Sequence, residues 1–170
     1  MKFPLGTEII VKRNRTFLQA SLFLIAVPLN LIWEIAQIGA YDFPETSLMA
    51  VVIGCFVPSL GDGLMTLIIY WSGWLLFRDW GWILNPGRSG YLLMMGVGII
   101  LALLVEWNAL YRTGAWGYNE RMIIIPILGV GLLPLLQMMT LPIAAVLLLQ
   151  RIWKEVFRSA DEGKSWKKIL

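Results

Sequence analysis

The chain has 170 residues, 58% of them hydrophobic and 15% charged, with a mean hydropathy of +0.72 and a net charge of +3. Soluble domains carry about 25% charged residues, so this composition excludes a water-soluble globule and predicts an all-α integral membrane protein. A single cysteine excludes an intrachain disulfide, and the lack of any histidine removes imidazole as base, zinc ligand or haem ligand. No metal and no cofactor is expected, and the small positive charge speaks to topology rather than to a nucleic-acid partner.

Residues 1–16 read as a short cytoplasmic N-terminal segment. The first apolar run starts at Phe17, is too long for a signal-peptide core and lacks a small-residue cleavage site after it, so no cleavable leader is expected. The transmembrane domain is expected over 17–150, beginning with a first span at 17–39. Late in that span comes "NLIWEIAQ", in which Asn30, Glu34 and Gln37 fall at i, i+4 and i+7 and share one helix face.

The second span, 47–77, has about thirty residues, long for one upright helix and short for two with a turn between them. "PSLGDG" at 58–63 predicts a break or a tilt there. Ser59, Asp62, Thr66 and Tyr70 recur on one helical face, and Gly61 and Gly63 flank Asp62. The third span, 90–111, ends on Glu106, Trp107 and Asn108. "RTGAWGY" then makes a short turn whose Trp116 and Tyr118 either fold over a pocket or sit in the membrane interface.

The fourth apolar run, 122–150, opens with "PILGVGLLP" at 126–134, so it too is expected to be broken or tilted, with a re-entrant first part. Gln137 and Thr140 follow. A basic cytoplasmic tail occupies 151–170. The expected fold is a bundle of four transmembrane helices, or five if the second or fourth run splits. With four spans, twelve of the fourteen Lys and Arg fall on the side of the termini. The positive-inside rule therefore places both termini in the cytoplasm, with the chain multi-pass in a bacterial inner membrane.

Eight of the eleven acidic residues lie in loops or tails, while Glu34, Asp62 and Glu106 lie inside apolar spans with no Lys, Arg or His beside them. An ionised acid in hydrocarbon costs several kcal/mol. Such groups must be protonated, share a proton, or face water, a cation or a ligand. Counting residues from the span ends puts Glu34, Glu106, Gln137 and Thr140 at similar depth, with Asp62 deeper, near the midplane, or shallower if the span begins at the 58–63 break. The prediction is an acidic pocket in the outer half of the bundle. Glu34, Asp62 and Glu106 are its candidate catalytic groups. Asn30, Trp33, Gln37, Trp107, Asn108, Trp116, Tyr118 and Gln137 are its candidate binding groups.

The order N-x-x-W-E-x-x-Q (Asn30, Trp33, Glu34, Gln37), G-D (Gly61, Asp62), E-W (Glu106, Trp107), W-x-Y (Trp116, Tyr118) and P-x-x-G-x-G-L-x-P-L-L-Q (Pro126 to Gln137) resembles a family of small bacterial multi-span proteins without an assigned function. The likeness spans roughly residues 25–140. More distantly, the N-x-x-W-E motif is similar to that of the membrane-bound terpene cyclases of meroterpenoid pathways, which use intramembrane acids. The W-x-Y … P order is also similar to the small membrane lycopene cyclases, although "PILGVG" stands where those carry an acidic pair. These likenesses imply isoprenoid chemistry.

Three functions fit the residues. The first is acid-catalysed cyclisation or isomerisation of an isoprenoid-type lipid, in which a neutral carboxyl protonates an olefin and aromatic faces steady the cation. The second is a non-enzymatic membrane subunit that packs in a larger complex or binds a lipid, quinone or pigment. The third is a small proton- or cation-coupled carrier, acting as a homo-oligomer. The expected partners are a membrane lipid or isoprenoid-like ligand and further membrane chains.

Overall fold

A computed structural model describes residues 15–42 and 47–166, with side chains described as far as Glu155. Most of the expected N-terminal segment and the last four residues of the expected tail lie outside the described residues. Helix α1 spans Arg15–Gln37 and tightens into a 3-10 turn at Ile38–Ala40. Helix α2 spans Leu48–Phe77, and a 3-10 turn at Trp82–Leu84 leads into α3 at Gly87–Trp107. A wider π-helical turn, Asn108–Thr113, extends α3. A two-stranded antiparallel hairpin, β1 (Ile124–Ile125) and β2 (Val130–Gly131), precedes α4 at Leu132–Trp166.

Among the described residues, four helices are long and apolar enough to cross a membrane. They run up-down-up-down, and each packs on its neighbours in chain order, with α4 closing the ring against α1. The surface is the apolar part: Leu24, Ile32, Val57, Leu92 and Leu104 are each more than 60% exposed. The interior takes the amides and acids, with Asn30, Gln37, Asp62, Glu106 and Gln137 all buried. Water would drive the opposite sorting, and a hydrocarbon solvent permits this one.

The expected break in the second span is absent, because α2 is one continuous helix of 30 residues. Pro58 lies inside it, exposed, and costs the helix one backbone hydrogen bond. Gly63 serves packing instead of a break. A Cβ on Gly63 would lie 2.7 Å from Val27 and 2.9 Å from Phe23, so this glycine lets α1 and α2 close together. Thirty residues span about 45 Å, longer than a hydrocarbon core of about 30 Å.

The fourth run is broken as expected, and its first part is the β hairpin. Gly129 adopts the left-handed φ of +68° that its turn needs. The five-span alternative is therefore not realised. Close approach also joins α3 to α4, where a Cβ on Gly98 would run into the backbone carbonyl of Met138.

The end of the bundle that holds the α2–α3 connection is closed by its own network. The Tyr70 hydroxyl donates to the Trp80 carbonyl at 2.8 Å, and the Trp82 indole donates to the Tyr70 carbonyl at 3.0 Å. The Gln150 amide donates to the Ile83 carbonyl at 2.6 Å. Tyr70 thus belongs to a structural cluster. Ser59 and Thr66 bond back to the carbonyls of Cys55 and Asp62 within α2. Of the polar stripe along α2, Asp62 alone reaches across to another helix through its side chain in these hydrogen bonds.

Candidate functional site

At the opposite end of the bundle, near the α1–α2 and α3–α4 connections, a cavity of about 690 Å³ lies between the helices. Its size is that of a small-molecule site. Glu34 comes from the last turns of α1, Asp62 from the middle of α2, Glu106 from the end of α3 and Gln137 from the second turn of α4. Four different helices therefore each supply at least one polar group, α1 adding Gln37 to Glu34, and most of the remaining wall is apolar, including Ile38, Val57, Met65, Ala102 and Met138.

The amides form a directed chain. An indole can only donate, so Trp33 Nε1, 2.9 Å from Gln37 Oε1, fixes which way the Gln37 amide faces. Gln37 Nε2 then donates to Glu34 Oε1 at 3.1 Å and to Gln137 Oε1 at 2.9 Å. That in turn aims Gln137 Nε2 at Asn30 Oδ1 (3.0 Å), Glu34 Oε1 (3.0 Å) and Asp62 Oδ2 (2.8 Å). Two protons serve three acceptors, so one N–H is shared. Asn30 donates its own amide to the Ala26 carbonyl at 2.9 Å. Among the described residues, no buried side-chain nitrogen or oxygen lacks a partner.

Gln137 thereby brings the Asp62 and Glu34 carboxyls to one donor. Glu106 is held differently. Its Oε2 accepts from the Trp116 indole at 3.3 Å and from the Tyr118 hydroxyl. Tyr118 is itself an acceptor for the Gly131 N–H at 2.9 Å, so its own proton goes to Glu106. The two acid centres thus differ in their donors: amides at Glu34 and Asp62, an indole and a phenol at Glu106.

Backbone pairing holds the Trp116–Tyr118 turn in place. Tyr41 and Tyr118 form a single antiparallel bridge, and Asp42 N–H donates to the Gly117 carbonyl at 3.0 Å. The Asn119 amide donates to the carbonyls of Gly39 and Tyr41, both at 3.0 Å. The rings of Tyr41 and Tyr118 meet edge to face at 5.4 Å. Burial first, and then the bond to Glu106, push the Tyr118 phenol above its ordinary range. Burial and the nearby carboxyls, Glu106 foremost, push the Tyr41 phenol the same way.

Of the residues singled out in the sequence, Glu34, Gln37, Asp62, Glu106, Trp116 and Gln137 line the cavity. Asn30, Trp33 and Tyr118 stand behind it and orient its walls. Trp107 and Asn108 do not join them. Both are exposed, and Trp107 packs edge to face on Tyr111 outside the bundle. They follow Glu106 directly in the helix, and residues one and two apart face different ways. Thr140 is likewise exposed and bonds back to the Leu136 carbonyl.

The sequence reading missed Tyr41 and Asp42, which the tie to the Gly117–Asn119 turn brings to the rim. The aromatic faces at the cavity therefore belong to Tyr41 and Trp116, not to the two tryptophans next to acids in the sequence. Among the described residues, no three His, Cys, Asp or Glu side chains are grouped to hold a metal ion. Fold and site together define a four-helix bundle with an acid-floored cavity between apolar helices. The chain matches no protein-family profile, no curated protein and no solved structure.

Proposed function

We propose that this chain is an integral membrane enzyme that takes an isoprenoid-type lipid into the acid cavity and rearranges its double bonds by adding and removing a proton. The observation that carries the reading is that Glu34 and Asp62 share the Gln137 amide as donor and line one largely apolar cavity with Glu106. The twelve-to-two bias of basic residues favours cytoplasmic termini, which sets the cavity in the outer half of a bacterial inner membrane. The short likeness to membrane terpene cyclases points to the same substrate class.

In this mechanism Glu34 and Asp62 share one proton, and the O–H bond that holds it breaks as the proton adds to one alkene carbon. The alkene π pair becomes the new C–H bond, and the other alkene carbon is left cationic. Tyr41 and Trp116 offer π faces to that cation, and the surrounding carboxylates offer negative charge. In isomerisation, an adjacent C–H gives its proton to Glu106 and its electron pair forms the new double bond. In cyclisation, a second alkene attacks the cation before that proton is lost. Both sequences leave the lipid with as many protons as it began with, so no oxidant or reductant is needed, and exchange with water moves the proton from Glu106 back to the pair before the next turnover.

The test uses the purified protein in vesicles made from an isoprenoid-containing membrane lipid extract in D2O. Deuterium should enter a C–H position of one lipid, read by mass spectrometry after extraction. Glu34→Gln and Asp62→Asn should each slow that incorporation by about a hundredfold or more, the usual weight of a general acid. Absence of incorporation, or incorporation untouched by both substitutions, refutes the reading.

A further inference from the structure

We infer that the acid cavity is filled sideways from the bilayer, through a slit between α2 and α3, and that its occupant is a neutral molecule with a hydrocarbon body. The inference rests on the cavity reading above and adds the route and the chemical class of what passes. Three observations support it.

The first is where the cavity wall is open. Val57 and Pro58 on α2 and Val105 on α3 line it and are also exposed on the flank of the bundle, with Val57 69% exposed. The slit is thus rimmed by apolar side chains that would face lipid. Gly61 lies on the same wall, and nothing stands within 4 Å of where its Cβ would be. The open space beside α2 is therefore at the slit itself.

The second is that the Trp116–Tyr118 turn at the aqueous end is tied to the end of α1. The Tyr41–Tyr118 bridge, the Asp42–Gly117 bond and the Asn119 amide lace the turn to the end of α1, and Trp116 lies over Glu106. The third is charge. Among the described residues that line the cavity, four are acidic (Glu34, Asp42, Asp62 and Glu106) and none is basic. An anionic headgroup would meet like charge in a poorly screened space. A hydroxyl or an unsubstituted olefin would not, and a hydroxyl finds acceptors there.

Cys55 provides a built-in reporter, because it is the only cysteine in the chain and it lines the cavity. In vesicles of neutral phosphatidylcholine, its alkylation by membrane-dissolved N-pyrenylmaleimide is compared with modification by water-soluble cationic and anionic methanethiosulfonates. Each rate is normalised to the denatured protein. The apolar reagent should label Cys55, and neither charged reagent should.

Gly61→Leu and Val57→Trp each narrow the slit. Each should slow apolar labelling about tenfold, corresponding to an overpacking cost of about 1.4 kcal/mol. Ile100→Trp, on an exposed face of α3 that does not line the cavity, should leave it unchanged. Farnesol should protect Cys55 and farnesyl diphosphate should not.

Labelling by a charged reagent at the apolar rate, no labelling by the apolar reagent, unchanged labelling in both slit variants, or equal protection by the diphosphate overturns the inference. These outcomes are independent of deuterium incorporation. Lateral access can therefore fail with the acid chemistry intact, and the reverse.

Discussion

Replacing Gln137 by Leu removes the one side chain that joins α4 to both α1 and α2 at the site. Leu nearly matches Gln in volume, so the loss is mainly of hydrogen bonds. Asn30 Oδ1 and Asp62 Oδ2 lose the donor at 3.0 and 2.8 Å, whereas Glu34 Oε1 keeps Gln37 Nε2 at 3.1 Å. Two buried acceptors are thus stripped of that donor. In water-soluble proteins each would cost about 1–3 kcal/mol. Interhelical hydrogen bonds in membrane proteins average only about 0.6 kcal/mol, because the unfolded reference chain also finds partners in lipid.

The expectation for Gln137→Leu is therefore a loss of about 1–3 kcal/mol. For a chain of this size that lowers Tm by roughly 3–9 °C, measured by circular dichroism in detergent micelles. Thr140→Val, one turn along the same helix, removes a hydroxyl that only bonds the Leu136 carbonyl, and should stay within about 0.5 kcal/mol of wild type. A Gln137→Leu protein that melts at or above the wild-type temperature would show that the network carries no stability and would refute this reasoning.

The phenols give a pH dependence. Tyr118 and Tyr41 both have folded-state pKa values raised above the ordinary phenol value. The folded chain therefore keeps these protons where the unfolded chain has released them. Their contribution is fully present below about pH 10 and is lost as pH climbs from there through the folded-state values. Wild type should lose stability in alkaline unfolding more steeply than a Tyr41→Phe/Tyr118→Phe double variant, and parallel curves would count against the assignment. Packing gives a paired test: Gly98→Ala drives a methyl into the Met138 carbonyl and should cost about 1–3 kcal/mol, read as a lower Tm. Gly96→Ala meets nothing within 4 Å and should be neutral or stabilising by up to about 1 kcal/mol.

Much of the site was legible in the sequence because an acid in a hydrophobic run is costly and therefore stands out. Glu34, Asp62 and Glu106 could be named without coordinates, and helical spacing put Asn30, Glu34 and Gln37 on one face. Proximity in sequence failed for Trp107 and Asn108, since a helix turns neighbours of Glu106 outward. Punctuation was ambiguous in the same way. Proline and glycine occur in both long runs, yet α2 absorbs Pro58 and uses Gly63 as a packing surface. The run before α4 becomes a hairpin around Gly129.

The sequence by itself determined the four long apolar runs and which polar groups stood out within them, because hydropathy is a property of each side chain and its immediate run, but it left open whether a run splits. Only the tertiary structure decided how those groups are wired. Trp33 sets the direction of the amides, Gln137 gathers three acceptors, Asp62 and Glu34 among them, and the Tyr118 hydroxyl donates a hydrogen bond to Glu106. Each of these bonds depends on the register and rotation of one helix against another. That relation is fixed by close approaches such as Gly63 on Val27 and Gly98 on Met138, between residues far apart in the chain.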